Sequence, residues 1–196
     1  IISAGTVVSS LASDFLTRKL GTGVVTVVSV LFTAGAMIGF SFANAFWILC
    51  VLAVPYGLGA GGVDAALNNY VALHYKSRHM SWLHCFWGVG TIVSPFIMSA
   101  CLTGTQGWPG GYRIVSYIQF ALVAVLFLSL PLWKKRPGAE LSAKPLTLPQ
   151  TLRLRGVAFM LIGFFAYSAV EATAMNWASS YLTEFRGVSA ERAAMF

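Results

Sequence analysis

An all-α, polytopic transmembrane helical bundle is the fold class that this sequence predicts, and three observations predict it. Of its 196 residues, 57% are hydrophobic and only 10% are charged, against about 25% charged in soluble domains. Apolar runs recur along the chain, and most reach the ~20 residues that ~30 Å of hydrocarbon requires at about 1.5 Å per helical residue. The charges gather in the short stretches between those runs. A transmembrane β-barrel would instead show segments of roughly 10 residues alternating in polarity.

Six apolar segments follow in order: Ile1–Ala12, Gly23–Phe42, Trp47–His74, Trp82–Leu102, Ile114–Trp133 and Gly156–Tyr181. The first is too short to span alone and reads as the second half of a helix. The last is the longest after Trp47–His74, so its outer turns emerge from lipid or the helix tilts. Beyond it, Ser189 is placed to cap a further helix, with Glu191 in its first turn. The chain therefore reads as an internal stretch of a longer protein.

Loop charges orient the bundle. The first, third and fifth loops hold ten basic residues, from Arg18 and Lys19 to Arg153 and Arg155, and the even-numbered loops hold three. Basic residues collect on the cytoplasmic side, so the odd loops are expected there, in a multi-pass protein of the bacterial inner membrane. The same bias accounts for the formal charge of +7 and leaves no reason to expect nucleic acid. The fifth loop, KKRPGAELSAKPLTLPQTLRLR, has three prolines and no apolar periodicity. It reads as a flexible or partly helical linker. Residues 1–133 then form part of a first bundle, 134–152 a cytoplasmic loop, and 153–196 the start of a second bundle.

The three cysteines, Cys50, Cys85 and Cys101, fall inside apolar runs and read as small buried hydrophobes. His74, His79 and His84 have no clustered acids or thiols around them in sequence, so no metal site is expected, nor any cofactor. An intramembrane enzyme is disfavoured for want of a grouped catalytic set.

Two acids lie inside apolar segments. A charge near the bilayer centre costs about 3 kcal/mol on insertion scales, so neither is expected to face lipid. In the third segment, Gly57, Gly61, Asp64 and Asn68 are spaced by four, three and four residues and share one helix face. One reading is close helix packing with the aspartate satisfied by a buried partner. The other is a cavity wall, with Asp64 taking up protons or contacting substrate and Asn68 offering hydrogen bonds to a hydroxyl-rich solute. In the last segment, Tyr167, Glu171, Ala174, Ala178 and Tyr181 share a face, so Glu171 is either a proton carrier or a helix–helix partner. Asn176 and Trp177 lie on another face. His84, Trp87, Gly88 and Thr91 cluster on one side of the fourth segment. His84 is either packed against a neighbour or faces a cavity with Trp87, whose indole can stack on a sugar. Ser116 and Gln119, one turn apart, can bond to another helix or to solute.

The loop SSLASDFLTRKLG, with Asp14 followed at +4 and +5 by Arg18 and Lys19, resembles the signature cytoplasmic loop of the major facilitator superfamily. In that family the loop gates the inward opening through charge contacts. GLGAGGVDAALNNYV is similar to the fourth helix of the fucose–proton symporter branch, with Asp64 where that branch has a glutamate and Asn68 at its asparagine. HCFWGVGTIVSPFI resembles the fifth helix, and FFAYSAVEATAMNWASSYLTEF the seventh, where Glu171, Trp177 and Tyr181 match. The resemblance implies that the six segments are helices two to seven of a twelve-helix fold. It also implies a monomeric secondary transporter that carries a small polar solute, a sugar or related metabolite, through the lipid bilayer with protons as the coupling ion. Proton-driven efflux of amphipathic compounds and a non-transporting sensor are the alternatives.

Overall fold

The computed structural model describes residues 1–134 and 146–193. Within them the regular structure is all helical, and the chain divides into two units, Ile1–Pro137 and Gly138–Phe196. The first unit holds α1 (Ile2–Leu20), α2 (Thr22–Ser41), α3 (Phe46–His74), α4 (Ser77–Thr103) and α5 (Gly107–Ser129), the last extended by a 3₁₀ turn at Leu130–Leu132. Among the described residues, five helices are long and apolar enough to cross a membrane: α2 to α5 and one in the second unit.

Helix ends depart from the apolar runs. The stretch SSLASDFLTRKLG is not a loop, because α1 continues through Asp14, Arg18 and Lys19 to Leu20. Its basic last turn complements the negative end of the helix dipole, and an Asp14–Arg18 pair one turn apart adds support. The whole connection to α2 is Gly21, at φ +85°, a backbone conformation that side-chain-bearing residues rarely adopt. Likewise α4 begins at Ser77 rather than near Trp82, and α5 at Gly107 rather than near Ile114. Apolar runs report the depth of lipid, whereas helices continue into the interface.

The core of this unit is built on small residues. α3 packs against both α1 and α2, and α2 packs also against α5. α1 and α3 run parallel and touch backbone to backbone: a Cβ on Gly57 would collide with the carbonyl of Ile2, and one on Gly61 with that of Thr6. On another side of α3, Gly59 and Gly62 admit Ser29 of α2. This is the small-residue packing that membrane helices use in place of a hydrophobic driving force. Buried hydroxyls line the same contacts, among them Ser9, Ser13 and Thr17 on α1 and Thr26, Ser29 and Thr33 on α2.

Hydrogen bonds fasten α5 to α2. The Ser116 hydroxyl donates to the Ala34 carbonyl at 2.8 Å, and Thr33 donates to Gln119 Oε1 at 3.0 Å. Of the two uses open to Ser116 and Gln119, helix bonding is the one observed. Where α3 ends, the buried Tyr70 ring lies 4.4 Å from that of His74 and 4.9 Å from that of Trp133. Its hydroxyl accepts the backbone N–H of Lys134 at 3.0 Å, so the chain leaving α5 is fixed to α3. The cysteines are all unpaired, but only Cys101 is buried; Cys85 is exposed on α4, which corrects the expectation of three buried thiols.

The second unit, taken by itself, contains α6 (Leu148–Leu152), α7 (Val157–Arg186) and α8 (Ala190–Ala193). The Thr147 N–H donates to the Gln150 side chain at 2.9 Å and caps α6, so part of the expected linker is helical. Lys135, Arg136 and Lys144 of that linker lie outside the described residues. Gly156 and Gly187, both at positive φ, bound α7, and Ser179 donates to the Ala193 carbonyl at 2.8 Å, tying α8 to it. The helix start expected at Ser189 is present.

Candidate functional site

Asp64 lies ten residues before the end of the 29-residue α3, about 15 Å along its axis, and is exposed. Helical spacing brings Asn68 to it from one turn away. Asn68 Nδ2 donates to Asp64 Oδ1 at 2.9 Å and to the Asp64 carbonyl at 3.0 Å. Both amide protons are thereby committed to Asp64. The pair presents Asp64 Oδ2 and Asn68 Oδ1 as acceptors, a group able to take a proton or to receive a hydroxyl.

The stripe shared with Gly57 and Gly61 splits in two. Both glycines are buried in the α1 contact, which corrects their placement on a cavity wall, while Asp64 and Asn68 lie beyond that contact. The packing reading therefore holds for the two glycines, and the acid and its amide stand clear of that contact. Packing of the glycines locates the segment that carries the acid. Ser10 of α1 contributes, donating to the Gly61 carbonyl at 3.3 Å. The α1 stripe of Ser9, Ser13 and Thr17 escaped the sequence reading, although its regular spacing of four was the available signal.

His84 is exposed at the α3–α4 junction, lining a cleft with Val71, Tyr75 and Lys76. Trp87, one turn on, is 53% exposed. Thr91 of that cluster is turned back onto its own helix, donating to the Gly88 carbonyl at 2.8 Å.

Within the second unit, the Tyr167 hydroxyl donates to Glu171 Oε1 at 3.1 Å, as the shared face anticipated. Tyr181 of the same face is engaged elsewhere: Arg186 Nε donates to its hydroxyl at 3.2 Å, and the guanidinium lies 5.6 Å from its ring centroid. Asn176 donates to the Ala172 carbonyl at 2.7 Å, and Trp177 is exposed. At the end of α1, Arg18 Nε donates to Asp14 Oδ2 at 2.9 Å, joining two of the three residues of the signature pattern, while Lys19 is exposed beside them.

Comparison with known proteins gives two matches. The sequence pattern of the Major Facilitator Superfamily matches residues 1–196. The chain is also similar to a hexuronate transporter of Bacillus subtilis (strain 168), with 24% identity over 195 residues. That alignment covers 92% of this chain and 44% of the relative, so the chain spans less than half of the relative's length.

Proposed function

The chain belongs to the Major Facilitator Superfamily, and from that premise we propose that it is part of a secondary transporter moving a small polar solute by alternating access, with protons as the coupling ion. Residues 1–133 are read as part of the first bundle, 134–152 as the cytoplasmic linker and 153–196 as the start of the second, in a protein that works as a monomer. The five apolar helices embed it in the bilayer as a multi-pass protein. The basic loops are assigned to the cytoplasmic side of a bacterial inner membrane. The similarity to a protein named as a hexuronate transporter makes sugars and sugar acids the first substrates to test.

The observation that carries the reading is the Asp64–Asn68 pair, an exposed carboxylate inside a membrane-spanning helix held by both protons of a neighbouring amide. Protonation of Oδ2 removes a charge whose burial would cost about 3 kcal/mol. The proton therefore favours closure of the surrounding cavity, and its release on the other side resets the cycle. Asn68 fixes the carboxylate's orientation. Glu171, with Tyr167, offers a second acid in the other unit, and Trp87 and His84 serve as wall contacts. Asp14, Arg18 and Lys19 form the gating group at the end of α1.

Replacing Asp64 by Asn in the full-length protein tests this. Proton-driven accumulation of sugar should be lost while solute counterflow continues, because exchange needs the site but not the proton. Undiminished accumulation would sink the assignment. Binding of lipophilic cations in preference to sugars would transfer the protein to the efflux reading, and binding without counterflow to the sensor reading.

A further inference from the structure

We propose that the cleft between the end of α3 and the start of α4 holds the anionic headgroup of a membrane phospholipid. The cleft has an apolar part of its lining in Val71, Ala72 and Met80. The rest is polar: Tyr75, Lys76, Ser77, Ser81 and His84. Ser77 and Ser81 are one turn apart, so their hydroxyls fall on one side of α4. Lys76 is the residue before the first turn of that 27-residue helix, with an extended backbone. Helix geometry directs the first-turn N–H groups and the positive end of the dipole outward at that end.

A second lysine and an imidazole lie on the same feature. The Lys134 ammonium lies 5.9 Å from the centroid of the Tyr75 ring, and the His79 ring lies 5.2 Å from it. His79 Nδ1 is 3.2 Å from the Lys76 carbonyl, which keeps the imidazole beside Lys76. Between Asp64 and Glu140 the sequence contains no acidic residue, so neither α3 beyond Asp64 nor α4 carries a carboxylate to pair with Lys76. A single phosphodiester suits a lysine point charge flanked by hydroxyls.

The occupant is a lipid rather than a soluble anion because of where the cleft lies. α3 and α4 are both candidate spans, and the cleft sits where one ends and the next begins, at headgroup level. The apolar lining there meets the glycerol and upper acyl region, while Lys76 and the hydroxyls meet the phosphate. Anionic leaflets attract basic residues placed next to membrane helices.

The test uses the purified full-length protein titrated with phosphatidylglycerol and with phosphatidylcholine, bound lipid being counted by native mass spectrometry. One phosphatidylglycerol should be retained in preference to phosphatidylcholine. Lys76→Gln should weaken its retention about fivefold, and Lys76→Arg should preserve it. Arg113→Gln, which removes the same charge beside the Phe42 ring at the end of α2, should leave it unchanged, and inorganic phosphate should not displace it. Unaltered retention in Lys76→Gln, equal loss in Arg113→Gln, equal binding of phosphatidylcholine, or displacement by phosphate would each overturn the proposal.

Discussion

The two helices that carry intramembrane acids, α3 and α7, solve the same electrostatic problem on very different supports. On each, the acid is bonded by a side chain one turn away on its own helix: Asn68 on Asp64, and Tyr167 on Glu171. Such a partner follows from helical periodicity and needs no tertiary structure. The supports differ. Gly57, Gly59, Gly61 and Gly62 of α3 are buried against α1 and α2, whereas α7 has no buried residue among those described. A local hydrogen bond orients a carboxylate, but only helix packing locates it. The packed glycines beside Asp64 are what support its assignment to the coupling role.

The sharpest way to break this contrast is to put side chains where the glycines are. Gly61→Leu drives a branched side chain into the Thr6 backbone, and overpacking of this kind should destabilise the protein by about 3 kcal/mol. Gly35→Leu on α2 meets nothing within 4 Å and should change stability by no more than about 0.5 kcal/mol. Thermal unfolding of both variants in one detergent compares them directly. Equal losses would mean that the contact with α1 does not locate α3, and the support for Asp64 would fall.

A smaller effect is expected where α2 meets α5. Ser116→Ala removes the bond to the Ala34 carbonyl at a fully buried position. It should cost about 1 kcal/mol, within the range of interhelical bonds in membranes. Ser94→Ala, at an exposed position of α4, is the control and should leave the unfolding midpoint in place. A midpoint unchanged by Ser116→Ala would mean that this bond adds nothing, and that shape and the Thr33–Gln119 bond hold α5 on α2.

Much of this was legible in the sequence, and the rest was hidden for physical reasons. The spans could be read because lipid demands long uninterrupted apolar runs. That Asp64 and Asn68, and Glu171 and Tyr167, share a face could be read because spacing of four is a property of the helix itself; that Asn68 turns its amide protons onto Asp64 instead of a solute could not. Helix ends could not, since α1 carries Asp14, Arg18 and Lys19 past the apolar run without breaking, and charge alone does not end a helix. Nor could the fate of Gly57 and Gly61 be read. Spacing put them on the face of Asp64, but whether a face meets a helix or a cavity depends on which neighbour approaches. The same limit applied to Ser116 and Gln119, whose partners Ala34 and Thr33 are more than eighty residues away.

The finest test bears on the two acids themselves. Asn68→Leu withdraws both amide protons from Asp64, while Tyr167→Phe withdraws a single hydroxyl from Glu171 and keeps the ring. Hydrogen bonds between membrane side chains average about 0.6 kcal/mol in double-mutant cycles. Tyr167→Phe should therefore slow proton-driven uptake by no more than about threefold. Asn68→Leu, losing two contacts at the coupling acid, should slow it more, and Asn68→Gln should fail to restore it because the longer chain misplaces the amide. Initial uptake rates in proteoliposomes under a fixed proton gradient would rank the three. If Tyr167→Phe proved the slowest, the proton would travel through the acid on α7, and the packed helix would serve only to hold the solute.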